Sequence, residues 1–222
     1  MNPALSIILF TTIAGAAQGV VVVLALATLA GVAPAAALAP MLWAVTGMLL
    51  VALVASFFHL GHPLRAWRAV LMWRTSWMSR EVILLPAFIA LVGGWALLAT
   101  LEQQEAMAAH WLAGLAIAGA FLLWYCTAMI YACIRFVQEW AHPLTIVNYT
   151  MLGLASGVVT AGALAVLAGE PRFAAAIAAW ALAATVLAWF TRTLSLRRNA
   201  RLKPKSTTQT ATGINAARVV QK

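Results

Sequence analysis

With 222 residues, 64% of them hydrophobic and only 9% charged, the chain lies far from the composition of a water-soluble domain, where about a quarter of residues are charged. A mean hydropathy of +0.95 and ten tryptophans point to a bilayer protein that meets the headgroup layers. The formal charge of +9 does not indicate nucleic acid, because the basic residues sit in short breaks between apolar runs and in the tail rather than on a water-facing domain; anionic lipid and a topology signal account for them.

The first apolar run, 5–29, starts almost at once and has no Lys or Arg before it. It is too long for the apolar core of a removable signal, so it is expected to stay as a membrane span. Further runs long enough to cross about 30 Å of hydrocarbon occupy 40–58, 82–100, 111–134, 146–168 and 173–190. The last two are read as separate crossings, because a single dipping hairpin would leave backbone hydrogen bonds unmade in lipid. Cys126 and Cys133, both within the fourth run, make neither a disulfide scaffold nor a metal motif and are expected to pack. Gly and Ala crowd the spans, which suits close helix approach.

The expected fold is therefore all-α: a bundle of six transmembrane helices over 1–201, with a flexible cytoplasmic tail over 202–222. Alternating the spans places 13 of the 14 basic residues on the side of both termini, leaving only Arg172 opposite, with Glu102, Glu105 and Glu170. The positive-inside rule makes that side cytoplasmic.

Polar chemistry gathers between the second and third runs, in "FFHLGHPLRAWRAVLMWRTSWMSRE". Pro63 separates His59 and His62 from a segment whose Arg65 and Arg68 oppose Leu64, Trp67, Val70 and Leu71, the pattern of a short helix in the membrane surface. Trp73, Arg74 and Trp77 continue the interfacial character. Arg80 and Glu81 stand where the third span begins, so Glu81 reads as a helix-start cap and anchor paired with Arg80, or as a proton-exchanging carboxylate. The bland reading of His59 is a residue bonded to backbone or headgroup. A membrane quinone needs an apolar niche near a rim, donors for its carbonyls and a route for two protons. Histidine titrates in the required range, and a partly buried carboxylate can be brought into it.

Haem is not expected, since His59, His110 and His142 lie at rims and not well inside spans. A transporter needs polar groups near mid-membrane, and Gln18, with Thr12 and Thr160, is all that the spans offer towards one. A purely structural tether is the other alternative.

The run "HLGHPLRAWRAVLMWRTSWMSREV" resembles the DmsC family, the membrane anchors of dimethyl-sulfoxide-reductase-type molybdoenzymes. The family carries a closely similar His-Leu-Gly-x-Pro-Leu-Arg-Ala run with a glutamate at the head of the next helix. The first span also looks like the family's opening helix, and the resemblance covers roughly residues 5–95. It implies an anchor with no cofactor of its own that binds menaquinone or ubiquinone. Its expected partners are an iron–sulfur electron-transfer subunit and a molybdopterin catalytic subunit. The family's quinone-site histidine and glutamate carry over to His59 and Glu81, with Arg65, Arg80, Trp67, Trp73, Trp77 and Gln18 as supporting residues. Familiar members have eight spans, against six here, and their motif loop faces outward. The inside placement leans towards the sulfite-oxidising, quinone-reducing branch in the bacterial inner membrane.

Overall fold

The structure, a computed structural model, describes residues 5–58, 60, 62–103, 106–203 and 213. Helices α1 (Leu5–Leu29), α2 (Ala35–Phe57), α3 (Trp77–Thr100), α4 (Met107–Ala132), α5 (Pro143–Leu167) and α6 (Pro171–Asn199) are joined by short connections, and a 3-10 helix, Pro63–Met72, follows α2. All six α-helices are long and apolar enough to cross a membrane. The expected all-α, six-span fold with a surface segment after the second span is what forms.

Helix limits run past the apolar runs for identifiable reasons. Proline opens α5 and α6 at Pro143 and Pro171, where its missing N–H would have had no helical partner. Pro40 lies inside α2, which starts five residues earlier at Ala35. Ser76 caps α3, its hydroxyl accepting from the Ser79 N–H at 3.4 Å. That cap moves the helix start to Trp77 and carries Glu81 beyond the first turn, so the carboxylate is not the helix-start cap that spacing suggested. The surface segment is a 3-10 rather than an α-helix. Cys126 is buried, whereas Cys133 is exposed at the end of α4, so the two do not share a packed face.

The bundle is built around α1, which packs on α2, α4 and α5. Residues Ala17 to Val22 are buried without a break, as befits a helix enclosed on all sides. Helix α3 fills the gap between α2 and α4 and carries the 3-10 helix, while α6 packs on α5 at the periphery. Glycines set the tightest approach: a Cβ on Gly157 would strike the backbone of Gly19, and one on Gly19 would strike Gly153 and Gly157. Gly169, at φ 81°, supplies the left-handed turn between α5 and Pro171 that other residues resist.

His142 caps α5: its Nδ1 accepts from the Leu144 N–H at 3.1 Å. Burial, and next the Arg198 guanidinium, hold its pKa below the usual 6.5. The neutral ring is therefore favoured by folding, and the stability it adds is complete above about pH 6.5 and lost as pH falls through the lowered value. Exchange at the first amides of α5 should quicken on acidification beyond its intrinsic pH dependence. An Asn in place of His142 caps at any pH, so His142→Asn should abolish that extra dependence; its persistence would rule out the ring as the cap.

Candidate functional site

A cavity of about 730 Å³ lies within the roughly 300–1,000 Å³ typical of small-molecule sites. Its walls come from the first halves of α1, α3 and α5 and the last halves of α4 and α6, together with Glu139 and Trp140 between α4 and α5. In an up-and-down bundle all those segments share one end. Among the described residues, that end carries 10 of the 11 basic ones, so the cavity rises from the bundle interior to the basic rim.

Glu81 lines it and is 8% exposed. Its Oε1 accepts a hydrogen bond from the Thr127 hydroxyl of α4. Burying a lone carboxylate is costly, and one hydroxyl donor offsets only part of that cost. Gln18 enters from α1, and Trp124 and Asn148 from α4 and α5. Among the described residues, Gln18 Oε1, Trp124 Nε1 and Asn148 Oδ1 are buried without a hydrogen-bond partner. Towards the rim, Tyr131 stacks on Tyr149 at 5.7 Å and meets Trp140 edge-on at 5.4 Å. Trp124, Thr127 and Tyr131 follow one another at helical spacing on a single face of α4. Thr12 also lines the cavity, but its hydroxyl is bonded to the Ile8 carbonyl at 2.7 Å.

Of the residues singled out in the sequence, the structure brings Glu81, Gln18 and Thr12 into this one cavity. His59 lies outside the described residues. Arg65, Trp67 and Trp73 are exposed, on the 3-10 helix and the turn after it. Arg80 turns away from Glu81: its Nε and Nη2 donate to the Trp73 and Arg74 carbonyls at 3.0 and 2.9 Å, and its guanidinium lies 4.0 Å from the Trp77 ring centroid. Trp77 meets Tyr125 edge-on. Arg80 is thus a clamp that holds the turn preceding α3. Arg80→Leu should raise amide exchange across residues 73–76 by about tenfold, the scale of one cation–π contact or one modest hydrogen bond. Unchanged exchange would mean the turn is held by other contacts.

Sequence reasoning missed Trp124, Thr127, Asn148 and Tyr149. The one available signal was Asn148, an amide inside an apolar span, which is costly in lipid without a partner or a polar cavity.

The DMSO reductase anchor subunit (DmsC) family matches residues 1–217, far beyond the stretch around the motif. The chain belongs to the DmsC family. One of the subunits of the sulfite dehydrogenase of Allochromatium vinosum is similar along the whole chain, 43% identical over 238 residues, and this chain spans 73% of that protein's length. The anaerobic dimethyl sulfoxide reductase chain YnfH of Escherichia coli is 30% identical over 124 residues, which cover 55% of this chain and 42% of YnfH. No solved structure matches. This DmsC-family protein is a multi-pass membrane protein, with a cavity at the end where its basic residues gather.

Proposed function

We propose that this DmsC-family anchor is the quinone-reactive subunit of a molybdopterin and iron–sulfur oxidoreductase complex in the bacterial inner membrane. The observation that carries the proposal is the cavity at the basic rim, which joins a buried carboxyl to unpartnered amide and indole groups inside an apolar bundle. A quinone exchanges two electrons and two protons, and an anchor must supply proton transfer and a place to hold the ring. Glu81 and Thr127 provide a proton-exchanging pair beside the cavity. His59 follows α2 and is proposed to hydrogen-bond one ring oxygen and trade its proton. Trp67, Trp73 and Trp77 anchor the rim. The iron–sulfur subunit is proposed to dock at that rim, with the molybdopterin subunit beyond it, so that this chain passes electrons and does no substrate chemistry of its own.

Charge asymmetry supports a cytoplasmic rim, with both termini and the extension from residue 202 inside the cell. Sulfite is the proposed terminal reductant. Likeness along the whole chain to part of a sulfite dehydrogenase supports it, and the inward rim is consistent with it. Electrons would then run from the iron–sulfur subunit into quinone.

Purification in mild detergent provides the test. An iron–sulfur protein and a large molybdenum protein should accompany the chain, and solvent extraction should recover bound quinone. Arrival of the chain alone would support a transporter instead, and a complex without displaceable quinone would make it a tether.

A further inference from the structure

Three polar side chains of the cavity lack partners among the described residues, and they come from three different helices. Gln18 is 2% exposed, Trp124 1% and Asn148 6%, and each presents a buried polar atom with nothing to bond. Such groups are rare in folded proteins, and each calls for an explanation such as a bound molecule. All three line the same cavity. Elsewhere in the bundle, Trp95 Nε1 is also unpartnered, but it does not line the cavity.

Trp124 shares a face of α4 with Thr127, but Gln18 and Asn148 come from helices that do not flank Glu81. That carboxyl stands on α3, whose neighbours are α2, α4 and the 3-10 helix, whereas Gln18 and Asn148 stand on α1 and α5, which pack on each other. Trp124 is held from the α5 side, because its indole occupies the space that a side chain at Gly153 would fill.

We propose that Gln18, Trp124 and Asn148 form the second polar contact of the quinone site, gripping the ring oxygen that Glu81 does not serve. The proposal rests on the quinone reading above and adds a division of labour within it. A carboxamide carries both donor and acceptor, and an indole N–H donates. Amide and indole N–H groups therefore bond the oxidised ring's carbonyl, and the amide oxygens accept from the reduced ring's hydroxyl. The contact survives the redox change without the protein gaining or losing a proton. The hydroxyl formed there takes its proton from water entering at the rim, the Glu81 and Thr127 side exchanges the proton of the other oxygen, and the amide wall sets affinity and orientation.

The test uses the assembled complex in lipid nanodiscs, with menadione and α-tetralone as probes; the second keeps the bicyclic frame but has one carbonyl. Assembly is scored by dye-linked activity of the partner subunits. Gln18→Leu and Asn148→Leu should each raise KM for menadione about 10- to 100-fold, the cost of leaving one polar partner unmade. Saturated kcat should stay within about threefold, because these groups act on ring binding and not on proton transfer. Preference for menadione over α-tetralone should fall by the same factor as the KM rise. Trp124→Phe, which keeps an aromatic ring and removes the N–H, carries the same test should either leucine variant not assemble. Assembled variants with wild-type KM and undiminished preference overturn the inference. Glu81→Gln, run in parallel, separates the two failures. If it loses quinone turnover while the amide variants bind menadione normally, only this inference falls. If it keeps full turnover and no variant changes menadione binding, the quinone assignment of the cavity falls.

Discussion

Glu81→Gln is expected to reduce quinone-coupled turnover by at least about 10²-fold, the usual scale for losing a positioned proton-transfer group, while electron transfer from the partner subunits to an artificial dye continues. The substitution keeps the side chain's size and an oxygen that can still accept from the Thr127 hydroxyl. It removes the ability to take up and release a proton. Glu81→Gln therefore separates proton exchange from packing, which Glu81→Ala would not. His59→Ala should give the same phenotype, since the proposed proton path uses both residues. Thr127→Val should be milder: it removes the one hydroxyl seen to hold the carboxyl and leaves the carboxyl itself, so about a tenfold loss or less is expected. The decisive comparison is quinone turnover against dye-linked activity in the same preparation. Undiminished quinone turnover in Glu81→Gln would exclude this carboxyl from proton exchange.

The second large effect concerns assembly. Gly157→Ala should cost about 3 kcal/mol or more, the upper end for overpacking. Its added methyl meets the backbone of Gly19 and Val20, and backbone, unlike a side chain, has no alternative rotamer. The two helices would have to part, and α1 also packs on α2 and α4, which resist its displacement. Membrane helices gain their association from close packing rather than from exclusion of water, so that separation is not repaid elsewhere. Gly47→Ala and Gly94→Ala are the matched controls. Nothing lies within 4 Å of either added methyl, and alanine is the better helix former by about 1 kcal/mol. Thermal melts in detergent should show a marked loss for Gly157→Ala and none for the controls; equal behaviour would mean that the contact between α1 and α5 is not rigid.

Hydropathy made six crossings legible because each span is apolar over nearly its full length, and the charge asymmetry between the two ends followed from alternating them. Helix ends were less legible. Apolar runs mark hydrocarbon, whereas the helices continue through caps such as Ser76 and through prolines at their first turns. The candidate site was half legible. Glu81 stood out beside the basic motif, and Gln18 as a lone amide in an oily helix. Trp124 reads in sequence as one more aromatic, and Thr127 as a residue bonded to its own helix, as Thr150 and Thr160 are. Asn148, an amide inside the fifth apolar run, alone carried a signal. Their convergence depends on which helices are neighbours, and sequence pattern carries little of that. The pairing of Glu81 with Arg80 was the natural guess from adjacency, yet successive residues on a helix point about 100° apart. The geometry follows: Arg80 reaches back to the turn and Glu81 inward to α4.

The position of the cavity at a single end of the bundle bears on energy conservation. Protons drawn through that mouth come from the compartment that also delivers the electrons, if the docking proposed above holds. Negative and positive charge then enter the ring from one side, and none is moved against the transmembrane voltage, where each elementary charge would be worth about 2.3 kcal/mol per 100 mV. Such a complex would feed the pool without charging the membrane itself, leaving that work to whichever enzyme next oxidises the quinol.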